Sequence, residues 1–171
     1  MRTNRFINET NQKMKKIIFL VALFLVANNV SSQSKEETES WIISQIYKYK
    51  IPESDQKYYI ENGKLYFVWF GNHIRSIEIK NIKNINLSFS EEKKAIFLSL
   101  YCNNSKCCKY DYISKGDSKY NNTSYEDALA LTLHDTEDSN LMQRLSKAFK
   151  HLVALYGGKA TSSVKISKEP F

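Results

Sequence analysis

The sequence predicts an α+β domain, with an antiparallel sheet lying between two helices along the chain. Helical periodicity follows residue 34, alternating apolar segments separated by tight-turn signals come next, and a strong helical stripe stands near the end. We therefore expect a curled sheet or partial barrel of six or seven strands, an N-terminal helix and a long C-terminal amphipathic helix. The domain is predicted over residues 34–158, after a leader at 1–33 and before a polar tail at 159–171.

The leader has the pattern of a secretory signal peptide. Residues 14–33 read MKKIIFLVALFLVANNVSSQ, in which two lysines precede an apolar run from Ile17 to Ala27 and small residues follow. The run is too short to cross a hydrocarbon core that needs about 20 residues. We expect translation to start at Met14 and cleavage to follow Ser32. The mature chain is then exported, periplasmic or secreted, with no transmembrane segment.

The basic charge belongs largely to that leader. The chain has a formal net charge of +7. Several of its basic residues precede residue 34, namely Arg2, Arg5, Lys13, Lys15 and Lys16. The remaining lysines and arginines are scattered and form no run or helical stripe, so we expect no nucleic-acid partner.

The first helix is predicted from Ser34 to about Lys50. Ser34 and Glu37 form a capping-box pattern, and Ile42 and Ile46 fall on one face. The following Ile51-Pro52 ends the helix, because the residue before a proline avoids the helical region.

The first hairpin is centred on Asn62-Gly63, since both residues tolerate the positive φ of a two-residue turn. This turn pairs Glu61 with Lys64 and Tyr58 with Phe67. The side chains predicted to face the core from these two strands are Tyr58, Ile60, Leu65, Phe67 and Trp69.

A second tight turn is predicted at Gly71-Asn72, which would place Ile74 opposite Trp69. The next apolar residue, Ile77, has the opposite parity. We therefore expect a bulge or bend near Arg75-Ser76.

Further strands follow at roughly even spacing. They are predicted at 84–89, 94–102, 108–113 and 128–133, with a polar loop over 114–127. The inward side chains are predicted to be Ile85, Leu87, Phe89, Ile96, Leu98, Leu100, Leu129, Leu131 and Leu133.

The C-terminal helix is the clearest element, because apolar residues recur at helical spacing from Leu141 to Tyr156. Asp135 or Thr136 is predicted to cap its start, and Gly157-Gly158 to end it. The tail after it is predicted to be loose, with Val164 and Ile166 as the candidate contacts that hold it to the domain.

This order of elements resembles the pleckstrin-homology-like superfold. The resemblance covers about Lys57 to Gly158, including "SIEIKNIKNINLSF" and the helix in "LALTLHDTEDSNLMQRLSKAFKHLVALYGG". It implies a binding scaffold for peptides or phosphoinositides. An exported chain would not meet phosphoinositides, because those lipids face the cytosol. The basic cluster that such domains use for phosphates is also missing around Asn62-Gly63. The leader and the "KAFKHL" helix also resemble small uncharacterised exported proteins of the Bacteroidota type.

All three cysteines lie in "CNNSKCC", from Cys102 to Cys108. No second cysteine pair or nearby histidine pair completes a zinc site, and C-x-x-C is absent. In an oxidising compartment a disulfide is favoured over reduced packing cysteines. If the segment is a hairpin tip, Cys102 and Cys107 are cross-strand neighbours, with Cys102–Cys108 as the alternative.

No residue is assigned a catalytic or metal-binding role, and no cofactor is expected. His73 and His151 lack ligand partners at helical spacing, and His134-Asp135 is an adjacent pair at a strand-to-helix junction. A hydrolase-like enzyme that uses this pair or a free cysteine remains the alternative function.

Three aromatic residues are the candidate ligand-binding site, because Tyr59, Tyr66 and Phe70 face away from the predicted core. The alternative is that the N-terminal helix covers this face with Trp41, Ile42 and Ile46, because that helix needs an apolar surface on which to bury its own stripe. We expect an exported, non-enzymatic binding domain for a protein, peptide or glycan. A structural, envelope-associated protein is the third interpretation.

Overall fold

The computed structural model describes residues 33–50, 55–102, 106–116, 118–134, 138 and 140–167. Within this part of the chain there are two helices and nine strands, an α+β arrangement. In chain order they are α1 (Lys35–Tyr49), β1 (Gln56–Glu61), β2 (Lys64–Trp69), β3 (His73–Glu78), β4 (Ile82–Ser90), β5 (Ala95–Cys102), β6 (Cys108–Tyr112), β7 (Asn122–Glu126), β8 (Ala128–His134), α2 (Leu141–Leu155) and β9 (Thr161–Ser167). The predicted signal peptide, the Ile51-Pro52 helix stop, and the Asp135 and Thr136 caps lie outside the described residues. Neither described helix is long and apolar enough to span a membrane.

The strands form two open sheets. The first has the order β1-β2-β3-β6-β7 and the second the order β8-β5-β4-β9, with β9 parallel to β4 and every other pairing antiparallel. The chain changes sheet at the 3₁₀ turn Ile79–Asn81, between β5 and β6, and at Asp127.

Two strands were not predicted: β7 has no apolar alternation, and β9 has only Val164 and Ile166 at alternate positions among polar residues. β7 lies inside the predicted polar loop, and β9 lies inside the predicted loose tail. A parallel ladder joins β9 to β4, Val164 packs against the core, and the Ser163 hydroxyl donates to the Asn86 side-chain oxygen at 2.9 Å. The prediction of six or seven strands in one curled sheet is therefore wrong, since the described residues form nine strands in two sheets.

The first hairpin has the predicted register. Glu61 pairs with Lys64 and Tyr58 with Phe67. Asn62 and Gly63 form the turn with φ values of 50° and 74°. The prediction succeeds here because the turn chemistry alone fixes the pairing.

The second turn is one residue longer than predicted. Phe70, Gly71 and Asn72 form the loop, and Trp69 pairs with His73 instead of Ile74. Phe70 and Gly71 both have positive φ, at 51° and 70°. This shift places Ile77 on the core side without a bulge, so the predicted bend near Arg75-Ser76 is wrong. The chain turns into the second sheet later, at the 3₁₀ turn.

One hydrophobic core joins both helices and both sheets. Ile42 of α1, Leu65 of β2, Leu98 of β5 and Phe149 of α2 all belong to it. The predicted inward positions of β4, β5 and β8 are buried, except that Phe89 is half-buried.

The C-terminal helix begins later than predicted. Asn140 is its N-cap residue, and the Asn140 N–H donates to the Asp138 side chain at 3.1 Å. Its end is as predicted: the Gly158 N–H donates to the Val153 carbonyl at 2.9 Å, and Gly157 has a φ of 78°.

Candidate binding surfaces

A row of aromatic side chains runs across the core face of the first sheet, at the end of β2 and the start of β3. We call Trp69, Phe70, His73, Tyr110 and Tyr112 the aromatic platform. The Trp69 and His73 rings stack with centroids 5.0 Å apart, and the Tyr112 ring lies 5.0 Å from that of His73. His73 Nδ1 shares a hydrogen bond of 2.8 Å with the Tyr110 hydroxyl. Phe70 is 64% exposed at the tip of the turn, and the other four residues are half-buried.

An ion pair supports the platform from the same face. Arg75 Nη2 donates a hydrogen bond to Glu126 Oε1 at 2.9 Å. Arg75 Nε lies 2.8 Å from Glu126 Oε2, but this second contact is an ion pair without a hydrogen bond. The guanidinium carbon lies 5.0 Å from the Trp69 ring centroid and 5.8 Å from that of Tyr110. The pair therefore ties β3 to the edge strand β7 while the rings pack on the guanidinium.

The predicted aromatic site is only partly brought together. Tyr59 and Tyr66 are cross-strand partners on the outer face, and their rings stack with centroids 4.7 Å apart. The Phe70 ring instead lies edge to face with the His73 ring, with centroids 6.2 Å apart. The error follows from the turn, whose extra residue places Phe70 in the loop.

The N-terminal helix does not cover the outer face. Ile42 and Ile46 of α1 are buried in the core cluster that contains Tyr58, and the Tyr58 N–H donates to the Tyr47 hydroxyl at 3.1 Å. The helix thus packs on the opposite side of β1 from Tyr59, which is 39% exposed. The alternative that Trp41 and its neighbours bury the Tyr59 face is wrong.

Cys102 and Cys107 form a disulfide, with Cα atoms 6.0 Å apart. The predicted hairpin around it is wrong, because β5 belongs to the second sheet and β6 to the first. The bond instead closes the connection by which the chain passes between the sheets. Cys108 keeps a buried thiol, and burial, with a smaller contribution from the Glu126 charge, raises its pKa to about 11.

Of the His134-Asp135 pair considered for catalysis, the structure describes only His134. His134 ends β8 opposite Ala95, and Asp135 lies outside the described residues. Among the residues that the structure describes, no three His, Cys, Asp or Glu side chains come close enough to hold a metal ion together.

A second feature, which the sequence did not indicate, is a cleft of about 590 Å³ at the other end of the first hairpin. We call it the Tyr156 cleft. It lies between the start of α1, the end of α2, the hairpin tip and the end of β3. Its lining residues are Lys35, Glu36, Glu39, Asn62, Gly63, Glu78, Lys80 and Tyr156.

Tyr156 is the centre of this cleft. Its hydroxyl donates to Glu39 Oε1 at 2.6 Å, and the Lys35 ammonium lies 4.7 Å from its ring centroid. Burial, the hydrogen bond to Glu39 and the charges of Glu39 and Glu36 raise the Tyr156 pKa to about 12. The phenol therefore stays neutral and acts as a hydrogen-bond donor at physiological pH.

Gly63 allows the hairpin tip to approach the same ring. A Cβ atom built at Gly63 would lie 3.1 Å from Tyr156 Cε1. The hairpin tip is also bound to the 3₁₀ turn after β3, since the Ile79 N–H donates to the Gly63 carbonyl at 3.0 Å.

Comparison with known proteins finds no matching family model, no matching curated protein and no matching solved structure. The resemblance to the pleckstrin-homology-like superfold stays a prediction.

Proposed function

We propose that this chain is an exported, non-enzymatic binding domain that holds a protein or peptide partner on the aromatic platform. The observation that carries the proposal is the cluster of Trp, Tyr, His and Arg side chains on one sheet face, ending in the exposed Phe70. Trp, Tyr and Arg are the residues that most often dominate the binding energy of protein interfaces.

The orientation of the rings favours a peptide over a glycan. Trp69 stacks against His73 and also faces the Arg75 guanidinium, so neighbours already occupy much of its ring surface. A sugar that stacks on an aromatic ring needs an open ring face. A peptide side chain can pack against ring edges and against Phe70.

The free cysteine gives little support to the enzymatic alternative. Cys108 has no exposed surface, and a thiol with a pKa of about 11 is protonated at neutral pH. The thiolate is the nucleophilic form, so this cysteine suits packing better than catalysis. A purely structural role in the envelope gives no account of the cluster of rings beside the exposed Phe70.

Export is supported by the leader pattern together with the disulfide, because such bonds persist in oxidising compartments. When the full chain is expressed in a bacterium, we expect an N-terminus at Gln33 and a mass two hydrogens below that of the reduced form. Iodoacetamide should label no cysteine in the native protein, Cys108 alone in denaturant, and all three cysteines after reduction. An uncleaved leader would contradict export, and three labels without reduction would contradict the disulfide.

Replacing Phe70 with asparagine is expected to weaken peptide binding about tenfold, the effect of losing a hot-spot side chain. Asparagine tolerates the φ of 51° at this position, so the turn should persist. The probes are peptides selected from a displayed random library against the wild-type protein. Their dissociation constants are measured by fluorescence anisotropy with both proteins.

The matched control is Tyr120→Asn, which removes an aromatic side chain that is 61% exposed outside the platform. Binding should be unchanged in this variant and weakened in Tyr112→Ser. Selected peptides that bind Phe70→Asn and Tyr112→Ser as tightly as wild type would contradict the platform. Failure to select any peptide, or glycan-array ligands in their place, would contradict a peptide partner.

A further inference from the structure

The Tyr156 cleft has the size of a small-molecule site. Its volume of about 590 Å³ falls within the usual range of roughly 300–1,000 Å³ for ligand pockets. It belongs to a different part of the fold from the aromatic platform and shares no residue with it. A role for the cleft therefore does not depend on the proposed peptide partner.

The protein's own Lys35 ammonium already lies over the Tyr156 ring, which is the aromatic side of the cleft. Lys35 Nζ lies 4.7 Å from the centroid of the Tyr156 ring. The hydroxyl of the same ring is bound to the Glu39 carboxylate, and Glu36 also lines the cleft. An aromatic face beside carboxylates is the arrangement that recognises organic cations.

Carboxylates on two walls make the cleft more suitable for an organic cation than for a metal ion. Glu36 and Glu39 come from α1, and Glu78 comes from the end of β3, where its Oε2 lies 3.6 Å from Lys80 Nζ. In the described part of the chain these carboxylates are not grouped closely enough to hold a metal. An alkylammonium ion can instead place its charge near one wall and its methylene groups along the ring.

We propose that the Tyr156 cleft binds a primary alkylammonium group, which takes the place of the Lys35 ammonium on the Tyr156 ring. Lys35 then acts as an internal competitor that is displaced when the ligand enters. The ammonium can come from a free amine or from a lysine side chain of a peptide, since both present the same group.

The test compares cadaverine and N-acetyl-lysine methylamide, each titrated into the full mature protein and followed by NMR chemical shifts. Lys35→Met removes the competitor and is expected to strengthen binding about fivefold, whereas Glu39→Gln is expected to weaken it about fivefold. The glutamine can still accept the Tyr156 hydrogen bond, so the fold should be kept. Tighter binding of cadaverine would identify a free amine as the source, and tighter binding of the lysine derivative would identify a peptide.

Lys48→Met is the matched control. Lys48 is on the same helix and lies 4.9 Å from the Tyr49 ring centroid, so its loss removes the same charge and a similar contact outside the cleft. This variant should bind both probes as the wild type does. Equal effects of Lys35→Met and Lys48→Met would overturn the proposal, because bulk charge would then explain both. So would the absence of saturable binding in wild type and Lys35→Met, or equal binding of the dianion glutarate.

Discussion

Replacing Gly158 with alanine is expected to lower the free energy of unfolding by about 3 kcal/mol, at the upper end of the usual cost of overpacking. A Cβ atom at this position would lie 2.4 Å from the Lys80 carbonyl oxygen and 2.8 Å from Val153 Cγ1. The first contact is with backbone, which has no rotamer to change. Lys80 belongs to the 3₁₀ turn that takes the chain from β3 to β4, so relief would require moving a corner of the fold.

Two other glycines separate this steric effect from the general effect of a glycine substitution. Gly116 has open space around its Cβ position and no positive φ, so Gly116→Ala should change stability by less than about 0.5 kcal/mol. Gly157 also has open space but a φ of 78°, and Gly157→Ala should cost about 1 kcal/mol. Urea denaturation of the three variants gives the comparison. If Gly158→Ala were as stable as Gly116→Ala, the end of α2 would not pack against the Lys80 turn.

This close packing matters for the Tyr156 cleft. Tyr156 lies two residues before Gly158, and Lys80 and Glu78 also line the cleft. The absence of a side chain at 158 lets the segment after α2 approach the turn that carries Lys80. Cleft geometry therefore depends on a residue that does not itself line the cleft.

Local features of the fold could be predicted from the sequence. The Asn62-Gly63 hairpin, its register and the buried leucines of β8 follow from turn chemistry and from period-two alternation. The end of α2 at two glycines follows from the need for a positive φ after a helix. Each of these signals lies within a few residues of the feature that it specifies.

The division into two sheets could not be predicted, because it depends on partners far apart in the chain. β3 pairs with β6, although β4 and β5 lie between them in sequence. The alternation of apolar residues shows which side of a strand faces the core but does not identify the neighbouring strand. The predicted Cys102–Cys107 bond is found although the hairpin argument behind it is wrong.

The aromatic platform could be predicted only in part for the same reason, because its residues are brought together by strands far apart in the chain. The sequence indicated a role for aromatic residues of the first hairpin, including Phe70. It did not indicate Tyr110 or Tyr112, which reach the platform only because β6 lies beside β3. The Arg75–Glu126 pair spans 51 positions and has no local signature. The Tyr156 cleft likewise requires both helices to meet beside one hairpin tip.

Replacing Phe149 with alanine is expected to lower the free energy of unfolding by about 4 kcal/mol, from lost burial and the cavity that remains. Phe149 is 1% exposed on α2 and belongs to the core cluster that includes residues of both sheets. Such a loss is a large fraction of the stability of an ordinary domain of about 5–15 kcal/mol.

Leu155→Ala is the control on the same helix, because Leu155 is 37% exposed and outside the core cluster. This variant should lose less than about 1 kcal/mol. Unfolding is followed in urea by tryptophan fluorescence, which reports on Trp41 and Trp69, and by far-ultraviolet circular dichroism. Since one core joins the helices to both sheets, the two transitions should coincide and shift together in Phe149→Ala. A fluorescence transition that stayed at its wild-type midpoint while the dichroism transition moved would contradict a single core, because the surroundings of Trp41 and Trp69 would then unfold independently of Phe149.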